Sequence, residues 1–184
     1  MSAGLNKPNR VAVFISGGGS TLQALLEMHH QLDIRLVVST RRNAPGVLKA
    51  SRFGKKIIIQ TKEFTLDQVS EVLKLHGINT IILAGYMKLL SGQFVDQWKN
   101  KIFNIHPSLL PDFPGLNAAE RNFADAKPMG VTIHSVTAEM DAGPQFLRQG
   151  SLKKTNDISM PEALLLLRRT EQHLLRELAY RMGA

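Results

Sequence analysis

The sequence predicts an α/β protein with a mostly parallel β-sheet covered by helices on both faces. Short and nearly continuous apolar runs recur along the 184 residues, and such runs are typical of strands buried on two sides. Segments with apolar residues at helical spacing lie between these runs. Strands that alternate with helices assemble into parallel sheets, which bind ligands beyond the carboxyl ends of their strands.

The composition fits one globular domain and excludes several classes of protein. Hydrophobic residues make up 43% of the chain, so we expect a single domain over residues 1–184, with a flexible segment at 1–9. No apolar run approaches the roughly 20 residues of a membrane helix, and the first residues lack the apolar core of a signal peptide. The chain has no cysteine, which excludes disulfides and thiolate chemistry. We therefore expect a cytoplasmic protein.

The formal net charge of +8 calls for an anionic partner or serves solubility alone. Nucleic acids and small anionic metabolites would both suit a basic protein. Lysine and arginine are spread along the chain in short clusters, without a long basic tail or an aromatic platform for single strands. This distribution favours a metabolite that bears phosphate or carboxylate over a polymer.

The first predicted strand leads into a glycine-rich loop. Residues 10–16 form an apolar run, Gly17 to Gly19 follow, and a helix begins at Ser20, which makes a capping-box pattern with Gln23. The free amides and the dipole at such a helix start can hold an anion. The same sequence also fits a simple tight turn, and no complete nucleotide-binding motif is present.

The remaining elements continue the alternation. Further strands are predicted at residues 34–39, 56–59, 80–84, 101–106, 130–137 and 145–150, the last at an edge of the sheet. Further helices are predicted at residues 45–52, 91–99 and 117–126, and two more begin at the capping-box patterns Thr65/Gln68 and Ser159/Glu162.

The last predicted helix carries one carboxylate within an apolar stripe. Glu171 shares this stripe with leucines at positions 164, 167, 174 and 178. A carboxylate in apolar surroundings is costly unless it is paired, so Glu171 is a candidate ligand for an amine or a guanidinium. It fits equally a position at the edge of the stripe, where its side chain reaches water.

Polar side chains near the ends of two predicted strands form the candidate catalytic set. Asn104 and His106 are two residues apart, so they project from the same face of one strand. Asp141 stands in a turn after the strand that carries His134. An amide, an imidazole and a carboxylate together can stabilise an oxyanion and transfer protons. On spacing alone, Asn104 and Asp141 also fit a role in shaping turns, and the histidines fit half-buried structural positions.

Four loops follow predicted strands and contain the candidate residues. They span residues 17–21, 85–90, 104–111 and 141–144. In a parallel sheet these loops would meet at one end, and the apolar loop 85–90 could line a pocket for a flat ligand or simply belong to the core.

Four sequence motifs together resemble one known family. They are Ile-Ser-Gly-Gly-Gly-Ser at residues 15–20, Leu-Ala-Gly-Tyr-Met-Lys-Leu-Leu-Ser at 83–91, Asn-Ile-His-Pro-Ser-Leu-Leu-Pro at 104–111 and Met-Asp-Ala-Gly-Pro at 140–144. In this order they resemble the folate-dependent formyltransferases, and the resemblance runs from about Val11 to the final helix.

The resemblance implies both a fold and a reaction. The fold would be the single-domain Rossmann-like formyltransferase fold, and the formyl donor would be 10-formyltetrahydrofolate. The acceptor would be the amine of glycinamide ribonucleotide, and the product would be N-formylglycinamide ribonucleotide of de novo purine biosynthesis. The same resemblance implies no metal, no nucleic-acid or membrane partner, and a monomer or homodimer.

The resemblance also implies roles for individual residues. It assigns the catalytic triad to Asn104, His106 and Asp141, with His134 beside Asp141. The residues implied to bind the acceptor substrate are Gly19, Ser20, Thr21, Pro107 and Glu171. The residues implied to bind the folate are Met87, Lys88, Leu89, Leu90, Ala138, Glu139 and Met140. In the family's glycine loop, asparagines usually stand where this chain has Gly18 and Thr21, so the phosphate contacts would rest on backbone amides and the Ser20 hydroxyl.

Other functions share parts of this pattern. In formyltetrahydrofolate hydrolases water replaces the amine, but they usually carry an N-terminal regulatory domain, and only about ten residues precede the first strand here. Methionyl-tRNA formyltransferases add a C-terminal barrel, which the chain to Ala184 would not include, and sugar-nucleotide formyltransferases fit the glycine loop less well. A non-catalytic protein with a basic surface for nucleic acid is a further alternative, which the intact triad disfavours.

Overall fold

The computed structural model describes residues 9–152 and 158–183, which form a seven-stranded sheet with six helices around it. The strands are β1 (Arg10–Ile15), β2 (Asp33–Ser39), β3 (Lys56–Ile59), β4 (Thr80–Leu83), β5 (Ile102–His106), β6 (Met129–Ser135) and β7 (Gln145–Leu152). The helices are α1 (Ser20–Glu27), α2 (Pro45–Arg52), α3 (Leu66–Leu75), α4 (Gly92–Gln97), α5 (Ala118–Ala124) and α6 (Met160–Gly183).

The sheet is mixed but mostly parallel. Its strand order is β3-β2-β1-β4-β5-β6-β7, with parallel pairing from β3 to β5 and antiparallel pairing of β6 and β7. The predicted α/β class with a mostly parallel sheet is therefore confirmed. The predicted edge strand is also confirmed, because β7 pairs with β6 alone.

The central strands are buried on both faces, as their apolar runs predict. In β1, Val11, Val13 and Ile15 belong to one core, whereas Ala12 and Phe14 belong to the other. The first core is completed mainly by α1 and α6, and the second by α3 and α4. Burial on both faces removes the alternation of polar and apolar residues that a half-exposed strand shows.

The helix starts follow two of the three capping-box predictions. At α6, the amide and hydroxyl of Ser159 donate to Glu162 Oε2 at 2.8 and 2.7 Å, and before α3 the Thr65 amide donates to Gln68 Oε1 at 2.9 Å. The box predicted at Ser20 is wrong, because Gly19 takes the N-cap position of α1 in a left-handed conformation (φ 66°). Ser20 is thereby placed inside the helix, where its side chain cannot cap.

The strand β6 runs antiparallel to β5 rather than parallel to it. Ser135, at its end, pairs with Phe103 near the start of β5. The loop after β6 therefore leaves from the opposite end of the sheet, and the expectation that all four loops follow carboxyl ends on one side is wrong for residues 141–144. Asp141 of this loop nevertheless reaches Asn104 and His106 of β5.

Two sequence-based expectations concern the chain ends and membranes. The flexible segment predicted at residues 1–9 lies outside the described residues except for Asn9, whose side-chain amide donates to the Met182 carbonyl at 2.5 Å. In the part of the chain that the structure describes, no helix has the length and hydropathy needed to cross a bilayer.

Candidate active site

Asp141 is the centre of the candidate active site. Its side chain is 10% exposed, and its two oxygens face four different groups. Oδ1 lies 3.3 Å from both Asn104 Nδ2 and His134 Nε2. Oδ2 accepts from the Gly115 amide at 2.7 Å and lies 3.4 Å from His106 Nδ1. The structure thus brings together the three predicted catalytic residues and the predicted neighbour His134.

Strand geometry places three of these side chains on one face of the sheet. Asn104 and His106 alternate along β5, and His134 is the partner of Asn104 on β6. Directly opposed residues of antiparallel strands share a face, which is why one amide and two imidazoles can meet a single carboxylate. Asp141 comes from the loop, with a backbone φ of 53°, a left-handed conformation that aspartate tolerates better than most residues.

Gly143 allows the loop that carries Asp141 to close tightly against β6. A Cβ atom on Gly143 would lie 1.7 Å from the carbonyl oxygen of Ser135, and the Ser135 amide donates to the Pro144 carbonyl at 2.9 Å. No side chain fits in this space. The sequence shows this glycine as part of a turn but gives no sign that backbone crowding requires it.

Replacing Gly143 by alanine is expected to displace the loop and to lower kcat by about a hundredfold, because a shift of about 1 Å at a catalytic group has that effect. We also expect a loss of about 1–3 kcal/mol in the free energy of unfolding. Steady-state rates and urea unfolding test both effects. The matched control is Gly92→Ala, at a site with no atom within 4 Å of the new Cβ. Parent-like activity in Gly143→Ala would contradict the placement of Asp141 by this contact.

Two backbone carbonyls determine which imidazole nitrogens carry protons. His106 Nε2 lies 2.8 Å from the Phe113 carbonyl oxygen, and His134 Nδ1 lies 3.1 Å from that of Ser135. A carbonyl only accepts, so these nitrogens are the protonated ones in the neutral rings. The other nitrogen of each ring faces Asp141 and carries a proton only when the ring is charged. Each histidine is therefore positioned to hold a second proton against the same carboxylate.

The surroundings lower the pKa values of both Asp141 and His106. Burial raises the pKa of Asp141, but hydrogen bonds from His134 and the Gly115 amide, with the charges of both histidines, outweigh burial and hold it at about 2. Burial lowers the pKa of His106, and the Phe113 carbonyl and Asp141 only partly oppose this. At neutral pH the site therefore contains a carboxylate beside a largely neutral His106.

The Asp141 carboxyl should titrate near pH 2 in the folded protein, against an ordinary value of 3.8. Because its pKa is depressed, Asp141 contributes stability that is fully present above about pH 4 and is lost as the pH falls towards 2. The difference amounts to about 2 kcal/mol in the free energy of unfolding. Carboxyl-carbon NMR measures the titration directly, and the Asp141→Asn variant identifies the signal by its loss. A midpoint near 3.8 would contradict the hydrogen-bonding account.

The glycine loop follows β1, which β4 separates from β5, and it packs closely against α2. A Cβ on Gly19 would lie 2.7 Å from the Gly46 Cα, and the Gly46 amide donates to the Gly17 carbonyl at 3.2 Å. Lys49 Nζ reaches the Gly19 carbonyl at 3.4 Å. By contrast, a Cβ on Gly18 would meet no atom within 4 Å, so this side of the loop is open to a ligand.

Two predicted acceptor-binding residues meet beside this loop. Thr21, in the first turn of α1, donates from Oγ1 to Glu171 Oε1 of α6 at 2.6 Å. Glu171 is partly buried and accepts a hydrogen bond from Thr21. Of the two alternatives for this carboxylate in the apolar stripe, the structure therefore shows a side chain with a hydrogen-bond partner rather than one that only reaches water. Burial raises the pKa of Glu171, while the Thr21 hydrogen bond and the charge of Arg168 oppose the rise.

The loop predicted to contact folate is anchored by its polar atoms. Ser16 Oγ accepts from the Met87 amide and from Thr40 Oγ1, both at 2.9 Å. Tyr86 donates to Gln60 Oε1 at 2.6 Å, and burial raises its pKa to about 12 despite this bond. The aromatic residue of the loop is therefore a structural anchor, and no sequence pattern predicts the roles of Ser16, Thr40 and Gln60 in holding this loop.

The apolar side chains implied to bind folate differ in exposure. Met87 and Leu89 are 62% and 77% exposed, and Met140, before Asp141, is 54% exposed. Leu90 instead packs against the core of α3 and α4. The other implied residues, Lys88, Ala138 and Glu139, are exposed, and Pro107 directly follows β5. Within the described residues, no group of three or more His, Asp or Glu side chains is arranged to hold a metal.

Comparisons of the sequence with known proteins identify its family. Residues 9–157 match the model of the formyl transferase family. The chain is 36% identical over 151 residues to the phosphoribosylglycinamide formyltransferase of Haemophilus influenzae, which covers 76% of this chain and 71% of the relative. It is 39% identical over 163 residues to the human trifunctional purine biosynthetic protein adenosine-3, covering 82% of this chain but spanning only 16% of that relative.

Solved structures show the same architecture. The phosphoribosylglycinamide formyltransferase of Anaplasma phagocytophilum superposes with a TM-score of 0.88 at 33% identity, covering 96% of this chain and 88% of the other. Glycinamide ribonucleotide transformylase 1 of Geobacillus kaustophilus gives a TM-score of 0.89 at 28% identity, with coverages of 97% and 100%. On the sequence match and the shared fold, the chain belongs to the formyl transferase family.

Proposed function

We propose that this protein transfers the formyl group of 10-formyltetrahydrofolate to the amine of glycinamide ribonucleotide, giving N-formylglycinamide ribonucleotide in cytoplasmic purine biosynthesis. The observation that carries the proposal is the convergence of Asn104, His106 and His134 on the Asp141 carboxylate. The names of the bacterial relatives support the choice of acceptor.

The reaction needs an oxyanion to be stabilised and protons to be transferred, and these residue types can do both. The amine attacks the formyl carbon, and the carbonyl oxygen becomes a tetrahedral oxyanion. Collapse of this intermediate breaks the bond to the folate nitrogen, while one proton leaves the amine and one reaches the folate nitrogen. Asn104 donates a hydrogen bond to the oxyanion, and a protonated His106 adds a charged donor. Asp141 favours that protonated form and accepts the proton from the amine, directly or through water.

The Asn104 amide must be released before it can serve the oxyanion. Its two N–H groups point to Asp141 Oδ1 and to His134 Nε2, at 3.3 and 3.2 Å. When one of these hydrogen bonds opens, that amide N–H becomes available to the substrate oxygen.

The two substrates would occupy opposite sides of this centre. Amides of Gly19, Ser20 and Thr21 would hold the phosphate, because the first turn of a helix has unpaired N–H groups. Glu171 would bind the sugar or amine end of the acceptor, and Pro107 would border it. The residues that would contact the folate are Met87, Lys88, Leu89, Leu90, Ala138, Glu139 and Met140. The chemistry requires no metal ion.

Consumption of 10-formyltetrahydrofolate with and without glycinamide ribonucleotide tests the function. We expect turnover that depends on the ribonucleotide and yields its N-formyl product. Ribose 5-phosphate is the matched control, because it offers the phosphate without the amine. Turnover without an acceptor would replace the transferase by a hydrolase. A folded protein that consumes no donor under any of these conditions would refute the proposal.

A further inference from the structure

Thr21 lies where a phosphate ligand is expected, but its hydroxyl is directed to another residue. Oγ1 donates to Glu171 Oε1 at 2.6 Å, joining α1 to α6 across 150 positions of sequence. This distance is at the short end of the range for O–H···O hydrogen bonds, as is usual when the acceptor is a carboxylate. A hydroxyl has one proton, so a Thr21 side chain bonded to Glu171 has none left to donate to a phosphate.

The two carboxylate oxygens of Glu171 differ in their hydrogen bonds. Oε1 receives the Thr21 proton, whereas no residue in 9–152 or 158–183 donates to Oε2. A donor to a carboxylate stabilises the charged form, so the Thr21 hydroxyl opposes the rise in the pKa of Glu171 that burial causes. It also restricts the rotation of the carboxylate. An oriented Oε2 is a good acceptor for the O–H or N–H of a ligand.

The Glu171 carboxylate lies close to the proposed anion site at the start of α1, because Thr21 belongs to the first turn of that helix. Thr21 is the second residue of α1, and the glycine loop ends at Gly19, immediately before the helix. An anion on the α1 amides and a donor group on Glu171 Oε2 therefore lie within one helical turn of Thr21. A single ligand that carries a phosphate at one end and hydroxyl or amine groups further along satisfies both, as a phosphorylated sugar does.

We propose that Thr21 is a positioning residue for the acceptor substrate, acting through Glu171 rather than by direct contact with the phosphate. This inference rests on the proposed function for its ligand. Thr21→Val keeps the shape of the side chain and removes the hydroxyl. We expect it to raise KM for glycinamide ribonucleotide about tenfold while kcat changes by less than about twofold. Thr21→Ser, which retains the hydroxyl, should resemble the parent.

A double-mutant cycle with Glu171→Ala separates the two roles of Thr21. If Thr21 acts through Glu171, its replacement by valine should have no further effect on KM once Glu171 is absent. If its hydroxyl contacts the phosphate directly, the tenfold effect should persist in that background. Persistence would overturn the proposal, and so would equal effects of Thr21→Val and Thr21→Ser. An inactive parent would instead refute the proposed function.

A titration without substrate gives a readout that does not depend on activity. Removing the Thr21 donor should raise the pKa of Glu171 in Thr21→Val, as carboxyl-carbon NMR measures. Among the described residues, Arg168 on the same helix is the charged group that acts on Glu171, and it is unchanged in the variant. The acid limb of kcat/KM should move to higher pH in the same variant. An unchanged Glu171 titration would overturn the proposal even if KM rises.

Discussion

Asp141→Asn is expected to lower kcat for formyl transfer by about 10²–10⁴-fold, the range that a positioned acid or base supplies. Asparagine has the same size and keeps a carbonyl oxygen that can accept from the Gly115 amide. It loses the charge that favours protonated His106, and it cannot accept the proton from the amine. The folded structure should persist, because the shape of the side chain is retained.

Single-turnover and steady-state rates with both substrates near saturation measure this effect, and circular dichroism confirms the fold. The matched control is Asp33→Asn, which neutralises a surface carboxylate that bonds Arg35 at 2.8 Å. Its activity should equal that of the parent. If Asp141→Asn keeps more than a tenth of the parental kcat, Asp141 does not accept the proton in the rate-determining step.

Asn104→Ala should reduce kcat by about 10²–10³-fold, as removal of one oxyanion donor does in other acyl-transfer sites. The KM values of both substrates should change little, because the interaction forms only when the oxygen becomes charged. Asn104→Asp is the sharper comparison, since aspartate keeps the shape but replaces the donor by a second carboxylate beside Asp141. It should be at least as inactive as alanine. Substantial activity in Asn104→Asp would mean that Asn104 contributes packing rather than a donated hydrogen bond.

Patterns of side chains predicted most of the fold and which side chains would meet at the candidate site. The apolar runs locate the central strands, because parallel strands buried on both faces need them, whereas the exposed edge strand β7 has no such run. The spacing of two between Asn104 and His106 places both on one face, as observed. Two of the three capping boxes were correct for the same reason: the side chains that make them can be read directly from the sequence.

Features made by the backbone could not be predicted. Every residue has an amide and a carbonyl, so nothing in the sequence marks the Gly115 amide or the Phe113 carbonyl as ligands of the catalytic side chains. The return of the loop over β6 depends on an antiparallel strand in a sheet whose other signals are parallel. The bond between Thr21 and Glu171 joins residues 150 positions apart, and no local pattern contains it.

The contact between Gly19 and Gly46 also bears on how a phosphate would be recognised. The Gly46 backbone occupies the space where a side chain of Gly19 would stand, and Ile15 and the Gly17 carbonyl leave no room for a side chain on Gly46, so the loop is held by α2 before any ligand arrives. The chain loses the conformational freedom of this loop during folding, and association does not have to remove it again. A scaffold of this kind discriminates by shape: anions that fit its fixed amides bind at little entropic cost, whereas larger or flatter ones find donors that cannot rearrange to meet them.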